Sequence, residues 1–325
     1  MKNHLKTAVA ALAVLGLAAC GSGSPSGGSG GDAAASAGGG LTPVSVGVIP
    51  IVDTAPIWLG DQEGFFADEG LDLDIQTASG GAAIIPGVQS GSYDFAFSNL
   101  VSLMVANDKG LDMKVVANGN STTGTDHDFG AVVVSGDSDI KSPRDLAGKK
   151  VSVNNLSNIG DTTIKTVVEE DGGDPDSINF VEVGFPDAPA ALDNGVVDAA
   201  WILDPFLTQS VDSGARVVSN NFTDFDPELD IAAYFTSQAS IDKNPELAQK
   251  FQRAMDKSLE FAAENPDKVR EIVGTYTKID AETRKDLILP KFRVEMNRAA
   301  AKKLGDSAVK YGTLQKAPDL DALLP

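Results

Sequence analysis

Hydrophobic and polar positions follow two kinds of pattern along the chain from Leu41 onward, one typical of strands and one typical of helices. Short runs rich in β-branched residues are bounded by Gly, Asp, Asn or Pro, which is the pattern of β-strands closed by turns. Ten such runs are predicted as strands: 44–49, 71–77, 94–98, 113–118, 130–135, 150–154, 179–183, 197–203, 216–219 and 231–237. The chain is therefore expected to form extensive sheet.

Stretches with helical periodicity separate most of these strands. The predicted helices are 55–69, 82–90, 100–109, 142–146, 161–171, 188–194 and 204–213. Strands that alternate with helices indicate an α/β architecture that is rich in parallel pairing. Two halves of this region repeat the same order of strand, helix and glycine-containing turn, so the pattern indicates two lobes.

The last third of the chain is predicted to be helical. The helices are expected at 244–265, 266–276, 281–289 and 294–304. In the first of them, one apolar face is formed by Phe251, Met255, Leu259 and Ala262, which recur at helical spacing. We expect this helical tail to pack with its apolar face on the first lobe.

The N-terminus has the three-part form of a signal peptide. Two lysines precede an apolar run from Ala8 to Ala19, and Cys20 follows directly. This run is shorter than the roughly 20 residues that a transmembrane helix needs. The four residues that end at Cys20 resemble the bacterial lipobox, so we predict a signal peptide at 1–19 and lipidation of Cys20. An ordinary signal peptide with an incidental cysteine is the alternative.

A flexible tether is predicted after the lipidated cysteine. Residues 20–40 consist almost entirely of Gly, Ser and Ala, which bury little surface on folding. This composition predicts a flexible tether between a membrane anchor and the folded body.

The composition excludes several classes of function. The 325 residues include 26 Lys and Arg against 46 Asp and Glu, a formal charge of −20, which argues against nucleic acid as a partner. Cys20 is the only cysteine, and His4 and His127 are the only histidines, so the chain cannot form a multi-cysteine zinc site or a disulfide framework. Neither a P-loop nor a dinucleotide-binding GxGxxG follows a predicted strand. We therefore predict no metal and no cofactor.

Several short motifs occur along the two predicted lobes, with a different set in each lobe. The first lobe carries APIW at 55–58, EGFF at 63–66, SGG at 79–81 and SGSYD at 90–94. The second lobe carries DLAGKKV at 145–151, ALDNGVVDA at 191–199 and DPF at 204–206. This set resembles the substrate-binding proteins of the nitrate, sulfonate, taurine and thiamine-pyrimidine type that serve ABC importers.

The resemblance implies a fold, a function and partners. The expected fold is the type II-like two-lobe periplasmic-binding-protein fold, with lobe one at 41–127 plus 225–325 and lobe two at 128–224. The expected function is capture of a small organic solute between the lobes and its delivery to the transmembrane permease subunits, without catalysis. We expect a monomer that is lipid-anchored at the outer face of the cytoplasmic membrane.

Candidate ligand contacts lie in the loops that follow the strands, because open α/β sheets bind ligands beyond the carboxyl ends of their strands. The predicted contacts are Asp53, Pro56, Trp58, Ser79, Gly80, Gly81, Asn99, Asn155, Asn158, Thr162, Trp201 and Asp204. The alternatives are ordinary capped turns for the loops and core positions for the two tryptophans. For His127, an exposed position beside the crossover between lobes is expected.

The charge of these loops constrains the solute. The loops predicted to contact the solute are 50–56, 79–82, 98–100, 154–162 and 203–206. None of these loops contains Arg or Lys. Because Asp53 and Asp204 are acidic, we expect a zwitterion such as taurine or an aminated heterocycle rather than a bare anion.

The alternative function is an enzyme of the same fold, such as a pyrimidine-precursor synthase or a chorismate dehydratase-like lyase. The export signal argues against a biosynthetic enzyme. After cleavage of the signal peptide His127 is the only histidine, which leaves few groups for proton transfer at neutral pH. We therefore expect a binding protein and not an enzyme.

Overall fold

The computed structural model describes residues 40–325. The predicted signal peptide, Cys20 and the tether up to residue 39 lie outside this range. Within it, no helix combines the length and the apolar character needed to cross a membrane.

Two five-stranded sheets form the framework of the described chain. The strands are β1 (Thr42–Val48), β2 (Leu71–Thr77), β3 (Phe95–Asn99), β4 (Met113–Ser121), β5 (Gly130–Val134), β6 (Lys150–Val153), β7 (Asn179–Glu182), β8 (Ala199–Leu203), β9 (Arg216–Ser219) and β10 (Asp230–Ser237). All ten predicted strands are confirmed, because the β-branched runs that mark them lie in the sheets.

Each sheet contains one reversed strand. The strand order is β2-β1-β3-β10-β4 in the first sheet and β7-β6-β8-β5-β9 in the second. In the first sheet β10 pairs antiparallel with β3 and β4, and in the second β5 pairs antiparallel with β8 and β9. Both reversed strands come directly after the chain has passed from one sheet to the other. The predicted parallel-rich architecture is therefore confirmed, with a reversal at each crossover that the sequence pattern did not predict.

Helices pack around these sheets. The α-helices are α1 (Ala55–Gln62), α2 (Phe65–Asp68), α3 (Gly81–Ser90), α4 (Leu100–Asp108), α5 (Ile159–Glu170), α6 (Ala188–Asp193), α7 (Phe206–Asp212), α8 (Asn221–Phe225), α9 (Gln238–Lys243), α10 (Pro245–Glu264), α11 (Pro266–Tyr276), α12 (Arg298–Lys310) and α13 (Leu320–Leu323). Short 3₁₀ turns lie at Val52–Thr54, Pro143–Leu146, Pro175–Ser177 and Thr283–Asp286. The sequence pattern missed α8, α9 and α13, which are four to six residues long.

Two predicted helices in the first two thirds of the chain have different limits. The predicted helix 55–69 is interrupted at Gly64, whose φ of 81° lies in the left-handed region that favours glycine. The result is two helices, α1 and α2. The predicted helix 142–146 is a 3₁₀ turn rather than an α-helix.

Two predictions for the C-terminal third were also wrong in extent. The predicted helix 281–289 is reduced to a 3₁₀ turn at Thr283–Asp286. The predicted helix 294–304 begins later, at Arg298, because the side chain of Asn297 accepts hydrogen bonds from the first free backbone N–H groups. It then continues to Lys310.

The apolar face of α10 packs on the first sheet, as predicted. Phe251 is fully buried and stacks on Phe95 of β3, with ring centroids 4.0 Å apart and an interplanar angle of 8°. Met255 and Leu259 continue the same buried face along α1. The tail therefore completes the core of the first lobe.

The end of the tail also contacts the second lobe. Lys310 and the Tyr311 hydroxyl both bond to the Glu169 carboxylate on α5. The ammonium group of Lys165, also on α5, lies 5.6 Å from the centre of the Tyr311 ring. The helical tail therefore contacts both lobes, whereas the sequence predicted that it packs on lobe one.

Substitution of Leu259 by Ala should test the role of α10. The side chain is fully buried, so its truncation is expected to lower the free energy of unfolding by about 2–5 kcal/mol. Leu41→Ala is the matched control, because that leucine is 47% exposed. Urea unfolding of both variants provides the measurement, and equal stabilities would show that α10 does not contribute to the core.

Candidate functional site

A cavity of about 20 Å³ lies where the two sheets meet. Its walls are Ile49, Ile51, Asp53, Phe97, Asn99, Asn154, Ile159, Phe185, Trp201, Leu203, Phe222, Ile231 and Ala232. Several of these residues end strands β3 and β8 or follow β1 and β6, so the cavity lies at carboxyl ends of strands from both sheets. This volume corresponds to about one water molecule, so binding of an organic solute requires the walls to move apart.

Asp53 is the acidic group of the cavity wall. It lies in the 3₁₀ turn after β1 and is 1% exposed. Its Oδ2 accepts a hydrogen bond from Asn120 Nδ2 at 2.8 Å, whereas its Oδ1 has no partner among the described residues. Burial, and to a smaller extent the nearby carboxylates of Asp128 and Asp204, raises the pKa of this carboxyl to about 7. Asp53 can therefore accept a hydrogen bond when ionised or donate one when protonated, near neutral pH.

Trp201 forms an aromatic wall from β8. Its ring meets Phe185 edge-on, with centroids 5.3 Å apart, and Phe222 edge-on, with centroids 5.6 Å apart. Gly160 at the start of α5 makes room for this ring, since a Cβ there would lie 2.5 Å from the indole. The indole Nε1 is buried without a hydrogen-bond partner in the described part of the chain. Because this nitrogen can only donate, it offers an N–H group to an acceptor.

Two amides place further polar groups on opposite sides of the cavity. Asn99 ends β3, and its Oδ1 caps α4 by accepting from the backbone N–H of Ser102 at 2.9 Å. Asn154 follows β6 and is 7% exposed. Amide groups both donate and accept hydrogen bonds, so they suit a heteroatom-containing ring as well as an amine.

The cavity wall contains no basic side chain. Its charged group is a carboxyl, and the remaining lining residues are amides, aromatic rings and aliphatic side chains. In the described range 40–325, no group of three or more His, Cys, Asp and Glu residues is arranged to hold a metal ion. The electrostatics therefore disfavour a simple anion, which gains most from Arg or Lys.

Three of the residues predicted as ligand contacts line this cavity: Asp53, Asn99 and Trp201. Trp201 is at the same time a buried core residue, which agrees with the alternative of a core position, and its role as a ligand contact stays a prediction. Among the other predicted contacts, Gly80, Asn155 and Asn158 lie at a contact between the lobes. These three residues do not belong to the cavity wall.

Asp204 does not lie on the cavity wall, in contrast to the prediction. Its carboxylate accepts hydrogen bonds from the backbone N–H of Thr208 at 2.8 Å and from that of Ile288 at 2.7 Å. Both carboxylate oxygens are therefore occupied within the protein. Burial raises the pKa of Asp204 to about 7, although these hydrogen bonds act in the opposite direction. The sequence could not reveal this, because Ile288 lies 84 residues away along the chain.

Trp58 and the remaining predicted contacts also lie off the cavity wall. Trp58 stacks on Tyr276 of α11, with centroids 4.9 Å apart and an interplanar angle of 11°, which agrees with the alternative of a packing role. Pro56 lies in the first turn of α1, and Ser79 is exposed. Gly81 packs against Ser98, and the hydroxyl of Thr162 lies 3.4 Å from that of Thr313.

The sequence prediction missed several residues that form the site. Phe97, Phe185 and Phe222 supply most of the aromatic wall, and Asn120 Nδ2 donates a hydrogen bond to Asp53 Oδ2. Asn120 lies near the end of β4, a position at which the strand-end argument would have identified it. The phenylalanines carry no such signal, because a buried aromatic residue in a strand or short helix is indistinguishable from core in the sequence. His127 is exposed in the crossover between β4 and β5, as expected.

Comparisons with known proteins identify relatives of this chain. The sequence pattern of the NMT1/THI5-like family matches residues 51–269. The formylaminopyrimidine-binding protein of Halalkalibacterium halodurans is 26% identical over 224 residues, which cover 67% of this chain and 65% of that protein. The 4-amino-5-hydroxymethyl-2-methylpyrimidine phosphate synthase of Aspergillus parasiticus is 25% identical over 227 residues, which cover 65% of this chain and 64% of that protein. The chain thus matches less than two thirds of the length of these curated relatives.

Among solved structures, the alkanesulfonate-binding protein SsuA from Xanthomonas axonopodis pv. citri bound to MOPS is similar with a TM-score of 0.76. The identity is 15%, and the match covers 88% of this chain and 99% of that chain. At this identity the likeness concerns the fold. The two-lobe periplasmic-binding-protein fold with a helical C-terminal tail, which the sequence predicted, is confirmed.

The raised pKa of Asp53 should make stability depend on pH. Its ordinary pKa is 3.8 and its folded pKa is about 7, so between these values the folded protein holds a proton that the unfolded chain has lost. Stability should therefore fall as pH rises through this window. Asp53→Asn retains the shape and removes the charge, so it should be more stable than wild type at pH 8 and similar to wild type at pH 4.

Urea unfolding across this pH range provides the measurement. Asp193→Asn, at an exposed position on α6, is the matched control and should follow the wild-type curve. An Asp53→Asn variant that is as pH-dependent as wild type between pH 4 and pH 8 would contradict the assignment of Asp53 as a buried carboxyl with a raised pKa.

Proposed function

The chain belongs to the NMT1/THI5-like family, and we propose that it is the solute-binding protein of an ABC importer. In this proposal it captures a small organic solute between its two lobes and delivers it to the transmembrane permease subunits. The solute would favour the arrangement in which both lobes contact it, and that closed arrangement would dock on the permease. No chemical step is needed.

The observation that carries the proposal is the composition of the cavity wall. Aromatic rings from Phe97, Phe185 and Trp201 favour a planar solute, because aromatic faces and edges bury a ring efficiently. Asp53 Oδ1 and Trp201 Nε1 are polar atoms without partners among the described residues, and they would pair with an amino group and a ring nitrogen. Since the wall carries no basic side chain, we propose an aminated heterocycle, such as a pyrimidine, as the solute class.

The names of the relatives bear on the proposed solute class in three different ways. The relative from H. halodurans is named as a formylaminopyrimidine-binding protein, which supports a pyrimidine as the solute. The relative from A. parasiticus is named as a pyrimidine phosphate synthase, which keeps a pyrimidine-forming enzyme as the alternative. The SsuA structure, bound to MOPS, brings a sulfonate into consideration, but the acidic cavity wall argues against a simple sulfonate here.

We also propose that the protein is a lipoprotein of the cell envelope. The signal peptide at 1–19, the lipidated Cys20 and the tether at 20–40 would place the folded body outside the cytoplasmic membrane, near the permease. Such a location suits a binding protein that hands its solute to a membrane transporter.

Calorimetry at pH 8 should test the solute class. We expect 4-amino-5-hydroxymethyl-2-methylpyrimidine to bind more tightly than methanesulfonate or nitrate. Asp53→Asn should weaken pyrimidine binding by roughly 1.5–3 kcal/mol, the range of a hydrogen bond to a charged group. The matched control is Asp193→Asn, which removes a carboxyl at an exposed position on α6, and it should leave the preference for pyrimidine intact.

Analysis of the recovered solute separates the two functions. A pyrimidine that is bound and recovered unchanged supports transport, whereas conversion of the pyrimidine would favour the synthase-like alternative. Tight binding of methanesulfonate, with no binding of the pyrimidine, would refute the proposed solute class.

Substitution of Cys20 should test the anchor. Cys20→Ser removes the thiol that would be lipidated, so the protein is expected to leave the membrane fraction of its host while its urea unfolding curve stays unchanged. Ser22→Ala in the same segment is the control and should remain in the membrane fraction. Retention of the Cys20→Ser variant on the membrane would refute the lipoprotein assignment.

A further inference from the structure

A buried hydrogen bond joins the two lobes away from the segments that connect them. Ser102 lies in the first turn of α4 beside the first sheet, and Asn158 caps α5 beside the second sheet. Asn158 Nδ2 donates to Ser102 Oγ at 2.9 Å, and the two residues are 5% and 2% exposed, respectively. Asn158 Oδ1 also accepts from the backbone N–H of Ile159 at 2.8 Å. The residue that begins α5 therefore also holds α4 of the other lobe.

A second contact between the lobes depends on a glycine. A Cβ on Gly80, which precedes α3, would lie 2.7 Å from Asn155 Oδ1, closer than real Cβ atoms approach. Asn155 Oδ1 is buried and has no hydrogen-bond partner within the described residues. The contact is therefore one of shape, and a side chain at position 80 would have to displace the amide of Asn155.

These two contacts differ from the contacts near the crossovers. In the crossovers, Asp128 bonds to the hydroxyls of Thr122 and Thr223, and these bonds lie on or beside the connecting chain. Ser102, Gly80, Asn155 and Asn158 lie outside the crossovers, between α3 and α4 on one side and the loop after β6 on the other. Their contacts therefore join the lobes without involving the connecting chain.

We propose that Ser102, Asn158, Gly80 and Asn155 form an interlobe latch that favours the closed arrangement, with or without solute. The four residues act as positioning residues, because they hold the walls of the cavity together without belonging to the wall. The proposal deepens the proposed solute-binding function and rests on it for its effect on the solute. A latch of this kind sets how long the solute is held, because the solute leaves only when the lobes separate.

Solution scattering of the purified chain tests the latch without any solute. Ser102→Ala removes the hydroxyl, and Gly80→Ala adds a methyl group where Asn155 lies. Both variants should have a larger radius of gyration than wild type. Ser258→Ala is the matched control, because that buried serine bonds only to the backbone oxygen of Ala254 on its own helix.

Stopped-flow kinetics with 4-amino-5-hydroxymethyl-2-methylpyrimidine test the effect on the solute. We expect dissociation to become roughly 3- to 10-fold faster in Ser102→Ala, the range of one net hydrogen bond. Gly80→Ala should accelerate dissociation about 5-fold, the lower end of the cost of a methyl group forced into a packed contact, because the end of the Asn155 side chain can shift. In an Asn155→Ala background, Gly80→Ala should have no further effect, because the atom that it meets is absent.

The two measurements distinguish the latch from the proposed function. If the pyrimidine does not bind to wild type, the proposed solute is wrong and scattering alone decides the latch. An unchanged radius of gyration in both Ser102→Ala and Gly80→Ala would overturn the latch, even if the pyrimidine binds. A Gly80→Ala effect that persists in the Asn155→Ala background would also overturn it, because a defect within lobe one would then explain the result.

Discussion

The hydrogen bonds of Asp204 hold together the three parts of the described chain. Its backbone oxygen accepts from the N–H of Val52 after β1, which joins the second sheet to the first. Its carboxylate accepts from Thr208 within the second lobe and from Ile288 in the C-terminal segment. A carboxylate that is fully buried is costly unless its oxygens are bonded, so these two bonds fix the C-terminal segment to the second lobe. The position of the cavity follows, since Leu203 of its wall is the preceding residue.

The junction of the lobes is acidic and contains buried carboxyl groups whose hydrogen-bond donors are neutral. Asp128 is bonded to the hydroxyls of Thr122 and Thr223, and Asp53 is bonded to an amide of Asn120. Neutral donors compensate burial less completely than a guanidinium or ammonium group would, which is why burial raises the pKa of Asp53 to about 7. The same property that costs stability underlies the proposed preference for an aminated solute, because an ionised carboxyl in the wall would repel a simple anion.

The amino-acid sequence determined the ten strands, the alternation with helices and the apolar face of α10. These features depend on local periodicity, so Phe251 and Leu259 could be assigned to a buried helix face from spacing alone. Periodicity also located Asp53 and Trp201 beside the carboxyl ends of strands, where a ligand is expected in an open sheet. The absence of Arg and Lys from the loops that follow these strands is likewise a property of the sequence alone.

Only the tertiary structure decided which of the loop residues belong to the cavity wall. Asp53 and Asp204 look equivalent in the sequence, yet Asp53 lines the cavity and has one oxygen without a partner among the described residues, whereas Asp204 is bonded by Ile288, which is 84 residues away. Trp58 and Trp201 differ in the same way, because only Trp58 meets the ring of Tyr276. Local pattern reports whether a side chain is buried, but its partner is set by how distant segments pack, and that long-range pairing has no signal in a single sequence.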